Sequence, residues 1–406
     1  MYKCTLSKSF SKSHCDSFII TGSKSISHRA LIINYLLNDY SNIQNISNSQ
    51  DTSLLSLSLK SNKDIVDVKY SGTALRFLIS LFSLINRSVT LIGAPYLFSR
   101  PIKSLIEVLN ILGADIKLLN NKVIINKSHL EGGVIKLQAH HTSQFVSSLL
   151  LIAPYLNNGL TIHLDKTIVS KPYIDMTLYM INQCGGNAIW QGDSINIKQI
   201  SYNNPYRIIE SDWTSVSYLY LSFLFSNLTK ISISTFIINS IQGDSSLIHF
   251  FSILGIETEF HKSIIVLNKS NLLNRPKTIT WDFKSNPDLF QTFIIACLGL
   301  GIKLIATGLN TLYFKETNRV ISMKIELAKF NCNLDINTEN KAFLFPSKLE
   351  INKIICINTY DDHRMALAFA PLSLLNYNIE IDNMHVVNKS YPTFWTDLIK
   401  FGVSLT

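Results

Sequence analysis

The sequence predicts a protein of the α/β or α+β class, built from repeated copies of one helix-and-strand unit. Three observations lead to this prediction. Helical apolar patterns alternate with short β-rich stretches along the 406 residues. Many of the helical stretches end at Gly or Asn, which tolerate the left-handed conformation that follows a helix. These endings recur at a nearly constant interval. In addition, a chain of this length is expected to form two or more domains.

The interval between successive helix endings is 70 to 76 residues. The endings are Asn38, Gly113, Gly185, Gly255, Asn331 and Gly402. They divide the chain into six units, and each unit contains at least one further helical stretch and several short strands. Any chain that alternates helix, Gly and strand could give similar intervals by chance, so the repeat is a prediction for the structure to test.

Five further stretches show apolar residues at helical spacing and are assigned as helices. They are SGTALRFLISLFSLI, TSQFVSSLLLIAPYL, SDWTSVSYLYLSFLF, NPDLFQTFIIACLGL and DDHRMALAFAPLSLL. Short stretches rich in β-branched residues lie between the helices and are assigned as strands. They include KVIINK, LTIHL, ISISTF and SIIVLN.

Composition excludes several classes of protein. Hydrophobic residues make up 47% and charged residues 16% of the chain, which is typical of a folded protein and not of a disordered one. The net charge of +9 fits an acidic substrate, nucleic acid, or a genomic bias that inflates lysine, so it identifies no partner by itself. The sequence has no zinc-finger spacing, basic-region heptad or RNP-like stretch, so we expect no nucleic-acid partner.

The cysteines predict a reducing compartment. Six cysteines are scattered along the chain without a C-x-x-C motif, which favours free thiols over disulfides or a zinc site. The N-terminus has no apolar stretch like that of a signal peptide, and the apolar runs are too short or interrupted to span a bilayer. We therefore expect a cytoplasmic protein without membrane association.

Cations lie near the starts of many predicted helices, although a helix start carries partial positive charge and prefers anions. In ITGSKSISHRALIINYLL, Lys24 and Arg29 lie near a start that Ser25 or Ser27 is expected to cap. Further cations near helix starts are Arg76, Arg100, Lys171, Lys315, Arg319 and Arg364. One such cation is an ordinary surface charge, but their recurrence indicates helix starts that converge on a strongly anionic ligand. Lys315 and Arg319, four residues apart, are expected to share one helix face.

Common cofactor and nucleophile motifs are absent from the sequence. TGSKS lacks the spacing of a phosphate-binding P-loop, and no G-x-G-x-x-G or G-x-S-x-G motif occurs. No group of His, Cys and Asp has the spacing of metal ligands. The sequence therefore disfavours a P-loop or dinucleotide-binding fold and shows no spacing typical of a metal site.

Nine motifs, in order, resemble those of the 3-phosphoshikimate 1-carboxyvinyltransferase (EPSP synthase) family. They are GSKSISHRAL, SGTALRFL, RPIKSLIEVLNILGADI, TSQFVSSLL, SKPYIDMTL, QGDSSL, FKETNRVISMKIEL, DDHRMALAF and NKSYPTFWTDL. The resemblance implies two similar domains, each of three βαβαββ units in an inverse α/β barrel-like arrangement, with the active site in the cleft between them. It places residues 1–21 and 241–406 in one domain and residues 22–240 in the other.

The resemblance also implies the activity. This family transfers the enolpyruvyl group of phosphoenolpyruvate to the 5-hydroxyl of shikimate 3-phosphate and releases phosphate, on the shikimate pathway to chorismate and aromatic amino acids. It uses no metal or organic cofactor, and we expect a monomer. The phosphates and carboxylates of the two substrates would account for cations at the helix starts.

The resemblance assigns roles to individual residues. Those matching contacts of shikimate 3-phosphate are Lys24, Ser25, Arg29, Thr142, Ser143, Gln144, Ser170, Tyr173, Asp288 and Lys315. Those matching contacts of phosphoenolpyruvate are Lys24, Gly72, Arg100, Gln144, Arg319, Arg364 and Lys389. Asp288 is the expected general base for the 5-hydroxyl, while Glu316 and Lys24 are the expected acid/base groups at the methylene carbon.

Four positions depart from the family pattern, and one of them, Thr142 in place of Ser, keeps the hydroxyl. Asn318 replaces an Asp, Thr311 replaces an Asn and Tyr70 replaces an Asn or a small residue. None of them removes a charged catalytic group, so we expect activity, with a folded but inactive relative as the alternative.

Two rival functions stay open. UDP-N-acetylglucosamine enolpyruvyl transferase shares the fold but carries a reactive Cys shortly before its Arg-Pro motif, and LIGAPYLFSRP has none. A basic repeat protein that binds nucleic acid is supported by the net charge alone.

Overall fold

The computed structural model describes residues 3–9, 16–39, 41–99, 102–137, 143–164, 168–270, 274–346 and 353–406. The chain forms two compact units. Unit 1 comprises Met1–Gly22 and Glu210–Thr406, and unit 2 comprises Ser23–Ile209. Unit 2 is therefore inserted into the sequence of unit 1.

The second boundary between the units differs from the predicted one. It lies at 209/210 and not at 240/241. The reason is strand pairing, since the strand Lys230–Ser234 lies between two other strands of unit 1. Hydrogen bonds along both edges of this strand fix it in unit 1.

The α-helices of the described residues alternate with the strands along the chain. They are α1 (Lys24–Leu36), α2 (Gln50–Lys60), α3 (Gly72–Leu84), α4 (Pro95–Ser99), α5 (Lys103–Ile111), α6 (Ser143–Ile152), α7 (Lys171–Gln183), α8 (Trp213–Phe225), α9 (Leu247–Ile253), α10 (Phe290–Leu300), α11 (Arg319–Ala328), α12 (His363–Phe369) and α13 (Phe394–Lys400). Short 3-10 turns are Ala153–Tyr155, Gly243–Ser246, Pro287–Leu289, Asn310–Phe314, Ala370–Leu375 and Met384–Lys389.

The strands of the described residues are short, with three to eight residues each. They are β1 (Cys4–Lys8), β2 (Ser17–Ile19), β3 (Ile65–Asp67), β4 (Val89–Ile92), β5 (Asp115–Leu119), β6 (Lys122–Asn126), β7 (Glu131–Leu137), β8 (Asn157–Leu164), β9 (Ala188–Gln191), β10 (Ser194–Ile197), β11 (Lys230–Ser234), β12 (Ile256–His261), β13 (Ile264–Lys269), β14 (Thr278–Asp282), β15 (Lys303–Thr307), β16 (Asn333–Ile336), β17 (Ala342–Phe345), β18 (Ile354–Ile357), β19 (Asn378–Ile381) and β20 (Val403–Leu405).

The five four-stranded sheets of the described residues share one pairing pattern. Each has a parallel pair followed by two antiparallel partners, in the orders β3-β4-β6-β5, β7-β8-β10-β9, β2-β11-β13-β12, β14-β15-β17-β16 and β18-β19-β1-β20. A parallel pair needs a crossover helix, whereas antiparallel neighbours can be joined by tight turns. This is the predicted βαβαββ unit, and the fold class is confirmed.

The sixth repeat of the sequence, which lies in unit 2, has helices but almost no sheet within the described residues. It contains α1 and α2, and its strand pairing consists of one bridge between Gln44 and Ile208. In the part of the chain that the structure describes, unit 2 therefore has two four-stranded sheets and unit 1 has three.

The residues that mark the sequence repeat all have positive φ. They are Asn38, Gly113, Gly185, Gly255, Asn331 and Gly402. Each lies directly after a helix or its last turn, where a left-handed residue lets the chain reverse toward the next strand.

The core of unit 1 is built around α8 and α10, whose residues are nearly all buried. Because these helices have no solvent face, they read as continuous apolar runs in the sequence. Their N-terminal ends carry the polar residues considered below. Among the described residues, no helix combines the length and apolar character needed to cross a bilayer, and the described cysteines are free thiols.

Candidate active site

In unit 1, Asp288 is paired with three cations from two separate parts of the sequence. It lies in the 3-10 turn that leads into α10. Its Oδ1 is 2.8 Å from Nη1 of Arg319 and 3.4 Å from Nζ of Lys315. Its Oδ2 is 2.9 Å from Nη2 of Arg364. Burial alone would raise the pKa of Asp288, but Arg364, Lys315 and Arg319 outweigh it and hold this pKa well below its ordinary value.

Arg319 is fixed from the opposite side by Asp362. Its side chain is 2% exposed, and its Nε donates to Asp362 Oδ2 at 2.7 Å. Asp362 also caps α12, since its Oδ1 accepts from the backbone N–H of Arg364. A single buried carboxylate therefore holds one arginine and starts the helix that carries the other.

Glu316 forms a second carboxylate site in unit 1 and is partly buried, with 14% side-chain exposure. Its Oε1 is 2.9 Å from Nζ of Lys389, and its Oε2 is 2.9 Å from Nδ1 of His363. Burial favours a higher pKa for Glu316, but Lys389 and His363 lower it well below the ordinary value. Burial also lowers the pKa of His363, although Glu316 opposes this, so we assign a neutral imidazole whose Nδ1–H donates to Glu316.

The prediction that Lys315 and Arg319 share one helix face is wrong. Lys315 has an extended backbone, and α11 begins only at Arg319, with Asn318 as its N-cap. The Asn318 side chain accepts from the N–H of Ile321, so the amide that replaces the family's Asp provides the cap. The two cations meet because both reach Asp288, and their spacing in the sequence plays no part.

Folding also brings together a His/Asp/Glu group that the sequence spacing did not suggest. Ligand atoms of Glu316, Asp362 and His363 lie within 4.8 Å of one another. Lys389 and Arg319 already occupy oxygens of the two carboxylates. Because a metal ion would have to displace these cations, the donor set does not fit a metal.

In unit 2, Lys24 starts α1 and is paired with an acidic residue that the sequence analysis missed. Its Nζ is 3.1 Å from Oδ2 of Asp51, which lies in the first turn of α2. Lys24 retains 19% side-chain exposure. The predicted caps are wrong, because Ser23 occupies the N-cap position without a side-chain bond and Ser27 instead accepts from the N–H of Ser47.

Arg29 is buried among partners in unit 2. Its guanidinium donates to Oγ of Ser147, to Oγ1 of Thr177 and to the backbone carbonyls of Ser25 and Tyr173, at 2.7 to 3.1 Å. Burial lowers its pKa to about 10, so it remains a cation at neutral pH. These bonds hold α1 against α6 and α7.

Gln144 links two more helix starts of unit 2. Its Oε1 accepts from Arg76 at 3.0 Å, and its Nε2 donates to Thr73 Oγ1 at 3.1 Å. Arg76 also donates to the carbonyl of Gly72, the first residue of α3. The beginnings of α3 and α6 are thereby tied together.

The remaining predicted residues of unit 2 lie at helix starts. Ser143 is the first residue of α6, and Tyr173 is in the first turn of α7. Ser170 precedes α7 with φ 54° and ψ 40°, a left-handed conformation that costs a non-glycine residue energy. Two predicted residues, Thr142 and Arg100, lie outside the described residues.

Sequence reasoning missed Asp51, Asp362 and His363 as site residues. Asp362 and His363 belong to DDHRMALAF, so a signal for them was present in the quoted motif. Asp51 has no such signal, because only the packing of α1 against α2 brings it to Lys24.

Comparison with known proteins gives the family. The sequence model of EPSP synthase (3-phosphoshikimate 1-carboxyvinyltransferase) matches residues 53–398. The 3-phosphoshikimate 1-carboxyvinyltransferase of Bacteroides fragilis is 36% identical over 391 residues, covering 95% of both chains. That of Buchnera aphidicola subsp. Baizongia pistaciae is 30% identical, covering 93% of this chain and 94% of the relative.

Solved structures show the same fold at lower sequence identity. EPSP synthase from Acinetobacter baumannii has a TM-score of 0.73 and 18% identity, with full coverage of both chains. The enolpyruvyl transferase NikO from Streptomyces tendae has a TM-score of 0.76 and 12% identity, covering 100% of this chain and 98% of that one. From the family match and the identity to curated relatives, we conclude that the chain belongs to the EPSP synthase family.

Proposed function

We propose that this chain transfers the enolpyruvyl group of phosphoenolpyruvate to the 5-hydroxyl of shikimate 3-phosphate, with release of phosphate. The observation that carries the proposal is the pairing of Asp288 and Glu316 with four cations in unit 1. Two ionised carboxylates beside many cations suit a reaction that moves protons next to phosphate and carboxylate groups.

The addition step needs two proton transfers. The 5-hydroxyl oxygen adds to C2 of phosphoenolpyruvate and gives its proton to Asp288, while the methylene carbon takes a proton from Lys24. In the elimination step a methyl proton returns to Lys24, directly or by way of the ionised Glu316, while the C2–O bond to phosphate breaks and the double bond forms again. The proton on Asp288 leaves with the phosphate. Atoms and charge balance without any cofactor.

Substrate binding would make Asp288 a stronger base. The pKa of Asp288 lies well below its ordinary value, whereas a general base works best with a pKa nearer the working pH. Arg364, Arg319 and Lys315 cause this depression. When the substrate anions engage the same cations, the positive potential at Asp288 falls and its pKa rises.

The remaining residues would bind the substrates. We assign Lys389, Arg319, Arg364, Arg100, Gly72, Gln144 and Lys24 to phosphoenolpyruvate. We assign Ser25, Arg29, Thr142, Ser143, Gln144, Ser170, Tyr173, Lys315 and Lys24 to shikimate 3-phosphate. The amide groups at the starts of the helices would add further donors for these anions. Cytoplasmic location and a monomeric state belong to the same proposal, and light scattering would measure the latter.

The decisive experiment measures phosphate release from phosphoenolpyruvate with either shikimate 3-phosphate or UDP-N-acetylglucosamine as acceptor. We expect turnover with shikimate 3-phosphate only. Turnover with the sugar nucleotide alone would reassign the chain to the sister enzyme, and no turnover with either would identify an inactive relative. An Asp288→Asn variant, purified in parallel, controls for contaminating phosphatases.

A further inference from the structure

Asp244 is a buried carboxyl group that the proposed mechanism does not use. It lies in the 3-10 turn Gly243–Ser246, within the QGDSSL motif, and is 3% exposed. Its Oδ2 accepts from Oγ1 of Thr214 on α8. Among the described residues, its buried Oδ1 has no hydrogen-bond partner. A carboxylate with only one donor at such burial is poorly compensated.

Two links place this group beside the active-site cluster of unit 1. Nδ2 of Asn286 donates to Oγ of Ser246, which joins the turn of Asp288 to the turn of Asp244. On α8, Thr214 holds Asp244, and one turn later Tyr218 accepts from Nη1 of Arg364 at 3.1 Å.

The charges that face Asp244 are mainly unfavourable to its ionised form. Burial is the largest cause that raises its pKa, to about 7, and Asp288 adds to the increase. Thr214 and Arg364 act in the opposite direction, and Asp212 at the start of α8 raises the pKa further. Other titratable groups on or beside the elements packed here are Tyr218 on α8, His249 on α9 and Glu210, which binds Gln242 next to the turn.

We infer that Asp244 is a positioning residue for Arg364, and that phosphoenolpyruvate binds only when Asp244 is in its neutral form. The inference rests on the proposed function. An ionised Asp244 would add a second negative charge that attracts Arg364, whose guanidinium already binds Asp288 at 2.9 Å. It would draw the guanidinium away from an incoming anion and repel the phosphate and carboxylate of the substrate.

Binding is therefore linked to one proton. When Asp244 is already protonated, phosphoenolpyruvate binds without proton exchange at this residue. At higher pH the site takes up one proton from solvent on binding, so the apparent affinity falls by about tenfold per pH unit.

The test is the KM for phosphoenolpyruvate between pH 6 and 9 in the wild type and in Asp244→Asn. Asn has the shape of a neutral carboxyl group and cannot ionise. We expect similar KM values at pH 6 and a wild-type KM that rises, relative to that of the variant, by about tenfold per unit above pH 7. Taking the ratio of the two enzymes cancels the titration of the substrate itself.

Two further variants separate this role from a structural one. Thr214→Val removes the donor that lowers the pKa of Asp244, so the rise in KM should begin at higher pH. Asp335→Asn, an exposed carboxyl on β16, should match the wild type throughout. A KM ratio that does not change with pH overturns the inference. If Asp244→Asn fails to fold, a Thr214→Val midpoint that is the same as that of the wild type overturns it.

A measurement without substrate separates failure of this inference from failure of the proposed function. The ordinary Asp pKa is about 3.9, so a folded-state pKa near 7 gives stability that is present below pH 4 and lost as pH rises toward 7. The unfolding free energy of the wild type should therefore fall between pH 4 and 7 relative to Asp244→Asn. A constant difference overturns the inference, whereas absent turnover with this pH trend overturns only the function.

Discussion

Lys24 illustrates how a cation at the start of a helix is tolerated. Its charge opposes the helix dipole, yet Asp51 lies 3.1 Å away and compensates it. Arg364 similarly binds Asp288, and Lys171 binds Asp175 within the same helix. Cations at helix starts therefore do not by themselves require a ligand. The unit 1 cluster is distinctive because three cations share the single carboxylate of Asp288.

Asp288→Asn should reduce kcat without weakening phosphoenolpyruvate binding. The amide cannot accept the hydroxyl proton, and general-base catalysis contributes about 10²- to 10⁴-fold. One negative charge fewer beside Arg364 and Arg319 should leave the KM for phosphoenolpyruvate unchanged or lower. Steady-state kinetics measures both, with the exposed Asp193→Asn as control. A kcat within twofold of the wild type would remove Asp288 from the role of base.

At the level of elements, many of the predicted site residues lie at the starts of helices in each unit, whereas Lys315, Glu316 and Lys389 of unit 1 lie outside them. In unit 1, residues at the starts of α10, α11 and α12 share Asp288. In unit 2, the starts of α3 and α6 are joined through Gln144. Free N–H groups and the dipole make such ends suitable for anions, and the side-chain cations add directed donors.

Ser170→Gly should separate stability from substrate binding at the start of α7. Glycine adopts the left-handed conformation at no steric cost, so the melting temperature should stay the same or rise. Loss of the hydroxyl should raise the KM for shikimate 3-phosphate by roughly tenfold or more, since a hydrogen bond to a charged group contributes about 1.5–3 kcal/mol.

The matched control is Asn38→Gly, which changes another left-handed residue directly after α1. It should likewise keep or raise the melting temperature but leave both KM values unchanged. If Ser170→Gly keeps the wild-type KM, Ser170 does not bind this substrate.

For the whole molecule, one sheet pattern recurs five times in the described residues, although the strands are not always in simple chain order. In the sheet β2-β11-β13-β12, all of unit 2 lies between the first two strands. In the sheet β18-β19-β1-β20, the first strand of the chain pairs with the last. The contact pattern of unit 1 therefore depends on residues that are far apart in sequence, which predicts slow folding.

The buried ion pairs of unit 1 should make the fold sensitive to acid. The pKa of Glu316 is well below its ordinary value, so this group adds stability above about pH 4 and loses it as pH falls through the folded-state pKa. At pH 6, Glu316→Gln should be about 3 kcal/mol less stable than the wild type, because it breaks a buried pair. Urea unfolding should show this difference shrinking below pH 4.

Glu107→Gln on α5 provides the control, since Glu107 is 59% exposed and lies 4.0 Å from Lys103. It should differ little from the wild type at any pH. If the difference in unfolding free energy between Glu316→Gln and the wild type stays constant down to pH 3, the pKa of Glu316 is not depressed.

Much of the candidate site could be predicted from motifs, but its contacts could not. Asp288, Arg319 and Arg364 were named from the sequence, and the structure brings them together. The helix expected to contain both Lys315 and Arg319 begins only at Arg319, because the backbone at Lys315 is extended. No motif pointed to Asp51, since its contact with Lys24 arises from packing between α1 and α2.

The sequence by itself determined the repeated helix-and-strand unit and the places where each helix ends. These properties depend on local physics: apolar periodicity, and the tolerance of Gly and Asn for positive φ. Only the tertiary structure decided where unit 2 ends, which carboxylate binds which cation, and that Asp244 lies beside the cluster. The end of unit 2 depends on strand pairing between distant parts of the chain. The ion pairs and the state of Asp244 depend on burial and on charged neighbours far away in the sequence, which raise or lower the pKa of each carboxyl group.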